Sequence, residues 1–139
     1  MQEQFILSIV IPCYNEGKRL DVEQISFFLK NKLNVLLCFV DDGSKDNTLE
    51  VLNNLKNKFP TAVEVISTEK NGGKAEAVRI GILHCNQQFN QKSIAYLDAD
   101  LATSLEECVE VSQQINSKVV FAFGSRISKI DNQIDRKIY

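Results

Sequence analysis

An α/β fold with a mostly parallel, doubly wound, Rossmann-like sheet is predicted by three observations. Five short β-rich apolar runs recur along the 139 residues. Helix-period apolar stripes lie between them, and the connections are short. The chain is 44% hydrophobic and 24% charged, ordinary usage for one packed domain.

The first run, Phe5–Ile11, is continuously apolar, as in a strand buried on both faces, and Pro12 is expected to end it. Val35–Val40, Ala62–Ser67, Ser93–Leu97 and Lys118–Phe123 repeat its character. The first helical stripe is Ile25, Phe28, Leu29 and Leu33; the second is Val51, Leu52, Leu55 and Phe59. Val78, Gly81, Ile82, Cys85 and Phe89 make a third, and Leu105, Cys108, Val109, Ser112 and Ile115 a fourth. Ser104 with Glu107 predicts a capping box for the fourth helix, and Asn47 with Glu50 a weaker one for the second. Ser128–Tyr139 is polar and has no evident partner element.

Charge excludes some functions. Sixteen basic residues against eighteen acidic ones give a net −2, with both signs scattered, so no nucleic-acid partner is expected. No run approaches the roughly 20 apolar residues of a membrane helix. The N-terminal sequence lacks the basic n-region and cleavage site of a secretory signal, so a cytoplasmic location is expected. Cys13, Cys38, Cys85 and Cys108 are widely spaced, without a C-x-x-C, and read as reduced, buried thiols rather than zinc ligands. His84, the single histidine, falls in a helical stripe and is expected to be structural.

In doubly wound sheets ligands bind beyond the carboxyl ends of the strands. Each predicted strand end here carries chemistry. The first is followed by Pro12, Cys13, Tyr14, Asn15 and Glu16, the second by Asp41, Asp42, Gly43 and Ser44. The third leads into Asn71, Gly72, Gly73 and Lys74, a glycine-rich turn opening a helix, whose backbone amides suit a phosphate. The fourth is followed by Asp98, Ala99 and Asp100, and the fifth by Gly124, Ser125 and Arg126. Taken singly, each is an ordinary turn, cap or surface residue. Together, on one edge, they describe a nucleotide-diphosphate site.

Asp98 and Asp100 supply hard oxygen ligands for Mg²⁺ or Mn²⁺ and leave coordination positions for diphosphate oxygens. The metal, with Lys74 or Arg126, would neutralise charge on a departing diphosphate, which makes Asp100 and Arg126 the catalytic candidates. Tyr14 offers a ring to a base, and Asp42 an acceptor for a base N–H.

The segments SIVIPCYNE, VDDGSKDNT, NGGKAEAVRIG, YLDADLATSLEE and FGSR, in that order, resemble family 2 glycosyltransferases of the GT-A fold over roughly residues 6–127. The D-A-D-L-A-T form followed by G-S-R is most similar to the polyprenyl-phosphate branch, which includes dolichyl-phosphate glucose and mannose synthases. The resemblance implies that Pro12, Tyr14 and Glu16 line the nucleoside pocket and that Asp42 bonds the nucleobase. It implies Asp98 near the ribose, Asp100 on the metal, Lys74 in the glycine loop and Arg126 near the phosphates. Ala75 stands where the family's loop carries its last glycine. Arg136 is a weaker match to an arginine that holds the acceptor phosphate.

The implied activity is inverting transfer of a hexose from a UDP- or GDP-sugar to a polyprenyl or dolichyl phosphate. Transfer to a glycan or other hydroxyl acceptor and a noncatalytic nucleotide-binding module are the alternatives. A nucleotidyltransferase would carry a glycine-rich basic loop after the first strand, where this chain has PCYNE. An NAD-dependent dehydrogenase would carry G-x-G-x-x-G there. Family domains of this kind usually run further, so residues 1–127 are expected to be the nucleotide-sugar-binding part and 128–139 the start of an acceptor-side segment. Membrane contact, at the cytoplasmic face, would come through a segment outside the chain.

Overall fold

The computed structural model describes residues 5–32 and 34–114, together with the backbone of Ser125–Ile127 and Asp135–Lys137. Its main sheet has the order β3-β2-β1-β4, with β1 Leu7–Cys13, β2 Val35–Asp42, β3 Val63–Thr68 and β4 Ile94–Tyr96, all parallel. Four helices connect or flank these strands: α1 Val22–Asn31, α2 Thr48–Lys58, α3 Lys74–Gln88 and α4 Leu105–Ser112. β5 Ser125–Ile127 and β6 Asp135–Lys137 form a separate antiparallel ribbon, so part of the polar terminal segment does have a partner. The expected fifth strand, Lys118–Phe123, and Leu33 and Ile115 of the expected stripes lie outside the described residues.

Strand alternation divides the core in two. Leu7, Ile9, Ile11, Val35, Leu37 and Phe39 point to the face covered by Ile25, Phe28 and Leu29 of α1, Leu52 and Leu55 of α2, and Leu105 and Val109 of α4. Val10, Leu36, Cys38 and Val40 point to the opposite face, against Ala77 and Cys85 of α3. Both faces of β1 and β2 are therefore dry, which is why these strands read as unbroken apolar runs. The buried line of α3 is Ala77, Gly81 and Cys85, with Ile80, Ile82 and Phe89 beside it; the expected stripe holds at Gly81, Ile82, Cys85 and Phe89, and Ala77 takes the place of Val78. Gly81 is required by close approach: a Cβ there would lie 2.4 Å from Val10 Cγ1 and 3.0 Å from Val40 Cγ2.

Pro12 does not end β1, which runs on to Cys13 with Pro12 opposite Val40. The Ser8 amide donates to Ser93 and the Leu97 amide to the Val10 carbonyl, so even-numbered residues of β1 turn their polar backbone groups toward β4. The β4 ladder ends at Tyr96, opposite Val10, and Pro12 gives up no strand hydrogen bond. At the ends of α4 and α2 the expected caps divide. Ser104 and Glu107 form the reciprocal capping box on α4. Asn47 makes no side-chain cap on α2; Asp46 Oδ1 instead accepts the Thr48 amide at 2.9 Å.

Because β1 is central and the chain returns from β3 past it to β4, the switch point falls between β1 and β4. The loops following β1 and β4 emerge side by side there.

Candidate nucleotide-diphosphate site

A cleft of about 610 Å³ opens at that switch point. Pro12 and Cys13 line it at the end of β1, Tyr14 and Glu16 just after it, Asp42 at the end of β2, Gly73 and Lys74 at the start of α3, and Asp98 and Asp100 after β4. Seven of the eight expected nucleotide-binding, metal and catalytic residues are thus brought together: Pro12, Tyr14, Glu16, Asp42, Lys74, Asp98 and Asp100. The eighth, Arg126, is placed only through its backbone, directly opposite Arg136 in the ribbon register.

The loop after β1 is shaped by the loop after β2. Asn15 takes a left-handed φ of 52°, which an asparagine tolerates better than most residues. Its amide donates to Ser44 Oγ at 2.9 Å, and its Oδ1 accepts the Lys45 amide at 2.9 Å. The Glu16 amide donates to Thr48 Oγ1 at 2.9 Å and the Gly17 amide to Asp46 Oδ2 at 3.2 Å. Asp46 also accepts the Thr48 hydroxyl; that bond, followed by the Thr48 and Gly17 amides, holds its carboxyl below the usual carboxylate range. The stretch SKDNT is therefore the scaffold on which Tyr14 and Glu16 are presented.

Both aspartates of the Asp41–Asp42 pair brace turns. Asp41 Oδ1 accepts the Ser44 amide at 3.2 Å. Asp42 Oδ1 and Oδ2 accept the Gly72 and Gly73 amides at 2.9 and 3.0 Å. Asp42, the expected acceptor for a base N–H, borders the cleft and also anchors the glycine loop. Gly73 has φ +95° at the N-cap of α3, a conformation that side-chain-bearing residues rarely adopt.

After β4 the chain alternates cleanly. Leu97, Ala99 and Leu101 enter the core while Asp98 and Asp100 face the cleft. Leu101, at φ 53°, donates its amide to the Asp98 carbonyl at 3.0 Å, and Asp100 Oδ1 accepts the Ala102 amide at 3.0 Å. This tight turn leads directly to the Ser104 cap. Lys74 Nζ is paired with Asp98 Oδ1 across the cleft. Cys13, between Pro12 and Tyr14, is pushed up to about 12 by burial and then by the Glu16 and Asp41 carboxylates, so it stays a neutral thiol.

Arg19 also borders the cleft and was not among the expected residues. Its Nε lies 3.1 Å from Glu16 Oε1, and the three-residue spacing was the available signal. His84 is outside the cleft lining, with Nε2 2.6 Å from Glu64 Oε2. All four cysteines are buried and free.

Charge within the cleft is unbalanced. Among the described residues Glu16, Asp42, Asp98 and Asp100 face Arg19 and Lys74, a formal surplus of two negative charges. Among the described residues no group of three or more His, Cys, Asp or Glu side chains could hold a metal ion. Asp98 and Asp100 offer two hard carboxylate donors, a set that fits a Mg²⁺ or Mn²⁺ ion whose remaining ligands come from a diphosphate and water. No helix among the described residues is long and apolar enough to cross a membrane.

The chain is similar to proteins whose chemistry is named. The human dolichyl-phosphate beta-glucosyltransferase is 32% identical over 148 residues, covering 96% of this chain and 44% of its own length. The chain spans less than half the length of the curated relatives it matches. TarS residues 1–349 of S. aureus superimpose with a TM-score of 0.58 at 22% identity, covering 78% of this chain and 32% of that one. The Pyrobaculum calidifontis mannosyltransferase PcManGT, solved with GDP-Man and Mn²⁺, superimposes with a TM-score of 0.55 at 19% identity, covering 68% and 27%. These structures share the GT-A fold with this chain. The sequence pattern of glycosyl transferase family 2 matches residues 8–137, nearly the whole length and every loop that builds the cleft, and the chain belongs to that family.

Proposed function

We propose that this chain binds a nucleotide-diphosphate sugar at the β1/β4 switch point and serves an inverting glycosyltransferase whose acceptor is a polyprenyl phosphate, dolichyl phosphate by analogy with the relatives. The observation that carries this reading is the convergence of the β1, β2, α3 and β4 loops on one acidic cleft.

Division of labour within the cleft follows from its chemistry. Tyr14, 41% exposed at the mouth, gives a ring on which a base stacks, beside Pro12. Glu16 and Asp42 supply acceptors for base N–H groups at that end. Lys74 takes the diphosphate end, whereas the Gly72 and Gly73 amides of the same turn are held by Asp42. Asp98 and Asp100 would hold Mg²⁺ or Mn²⁺, which supplies neutralisation of charge on the departing diphosphate. A nucleoside diphosphate is itself multiply anionic, so its entry into a cleft with an acidic surplus is strongly favoured by a divalent cation. Arg126, opposite Arg136 in the ribbon, is assigned to the phosphate side of the same reaction.

In the reaction an acceptor phosphate oxygen attacks the anomeric carbon as the bond to the nucleotide diphosphate breaks, with inversion. A phosphate acceptor is already anionic and requires no general base, whereas a hydroxyl acceptor does. The test is calorimetric titration of UDP and GDP with Mn²⁺, Mg²⁺ or EDTA on the wild-type chain and on Asp100→Asn. Binding of one nucleotide that needs metal and is abolished by Asp100→Asn is expected. Metal-dependent affinity that survives the substitution would remove Asp100 from the site.

A further inference from the structure

Among the described residues two ion pairs stand in the cleft, and they differ in kind. Arg19 and Glu16 are neighbours on one turn. Lys74 and Asp98 come from separate elements, the first residue of α3 and the loop after β4. The root of Lys74 is fixed: the preceding amide, Gly73, is held by Asp42, and the Gly73 carbonyl accepts the Ala77 amide at 3.0 Å as the helix begins. Its ammonium end is open to solvent, with the Lys74 and Asp98 side chains 56% and 55% exposed. A fixed stem with an exposed charge is suited to exchange partners.

We propose that Lys74 is an exchange cation: it neutralises Asp98 while the cleft is free of donor, and it passes to the diphosphate when a metal–nucleotide complex takes Asp98. This rests on the metal-and-diphosphate reading of the cleft given above. A divalent ion arriving alone must displace the ammonium and then sit beside it with no anion to receive it. A metal arriving with a diphosphate brings that anion. Lys74 thereby penalises the bare metal and rewards the complex, and it couples the two ligands. By linkage the coupling factor is the same whichever ligand binds first.

The test separates Mn²⁺ alone, followed by electron paramagnetic resonance of free Mn²⁺, from UDP or GDP at saturating Mn²⁺, followed by calorimetry. Lys74→Met is expected to tighten Mn²⁺ alone by about fivefold, the scale of an exposed ion pair. It should weaken the nucleotide and reduce the coupling factor by about tenfold. Lys74→Arg should keep most of the coupling. Lys70→Gln removes the same charge from the same loop and should leave Mn²⁺ affinity near wild type. Unchanged or weaker Mn²⁺ binding by Lys74→Met, where Asp98→Asn abolishes that binding, overturns the exchange and leaves the metal reading intact. Equal tightening by Lys74→Met and Lys70→Gln also overturns it, showing a general charge effect. Indifference of Mn²⁺ binding to Asp98→Asn overturns the metal reading and the exchange together.

Discussion

Asp42 holds Gly73: the carboxylate at the end of β2 accepts the amide at the N-cap of α3 at 3.0 Å, and its other oxygen accepts the Gly72 amide at 2.9 Å. The Asp42 side chain is nearly buried, so the two bonds are shielded from water. They set where α3 starts and therefore where Lys74 is rooted. The residue that borders the cleft at the end of β2 is also the one that positions its cation.

Removing this carboxylate should cost stability as well as binding. Asp42→Ala is expected to destabilise the chain by about 2 kcal/mol, since two backbone amides lose a charged acceptor. The midpoint of thermal unfolding should fall by about 7 °C. Asp42→Asn, which keeps one acceptor oxygen, should fall between. Wild-type stability of Asp42→Ala, followed by circular dichroism, would show that solvent replaces both bonds without loss.

Gly81 makes a separate prediction about packing. A methyl group there gains roughly 1 kcal/mol of helix propensity. It also lies 2.4 Å from Val10 Cγ1, far inside contact distance, in a core where Val10 is fully buried. The clash should win, leaving Gly81→Ala about 1–2 kcal/mol less stable than wild type. Val10→Ala opens the space, so the double variant should be more stable than additivity allows, by about 1 kcal/mol in a denaturant-unfolding cycle. Strict additivity would show that α3 shifts off the sheet instead.

Cys13 tests the electrostatics of the cleft floor. Its pKa rises from an ordinary 9.0 to about 12, chiefly through burial. A group raised in the folded state contributes stability that is fully present below its unfolded value and is lost as pH climbs toward the folded value. Cys13 should therefore resist iodoacetamide at pH 8 in the native chain and react readily in urea, as read by mass spectrometry of tryptic peptides. It should also add to a fall in stability between about pH 9 and 12, and Cys13→Ser should flatten that part of the profile. Rapid native alkylation at Cys13 would contradict the burial.

Local signals in the chain determined most of the architecture. Unbroken apolar runs specify strands covered on both faces, and helical stripes of Leu, Phe and Ile specify helices that cover them, because burial of apolar area is local in origin and periodic in form. The Ser104–Glu107 box depends on near neighbours and was legible. Family motifs at the strand ends marked the cleft residues for the same reason: in a parallel sheet the residues after each strand must emerge on one edge.

Contacts between distant segments were decided only by tertiary structure. That Asp42 would be taken by Gly72 and Gly73, and Lys74 by Asp98, depends on how α3 docks beside β1 and β2, which no local spacing encodes. The docking of α3 put Ala77 rather than Val78 on its buried line with Gly81 and Cys85, and Val10 and Val40 approach too closely for a larger residue at position 81. Pro12 was read as a strand end because a proline cannot donate. It continues the strand because the neighbour that would have needed its amide stops at Tyr96. Propensity acts within a few residues, whereas hydrogen-bond partners and close approaches are set by whichever elements the sheet order makes neighbours.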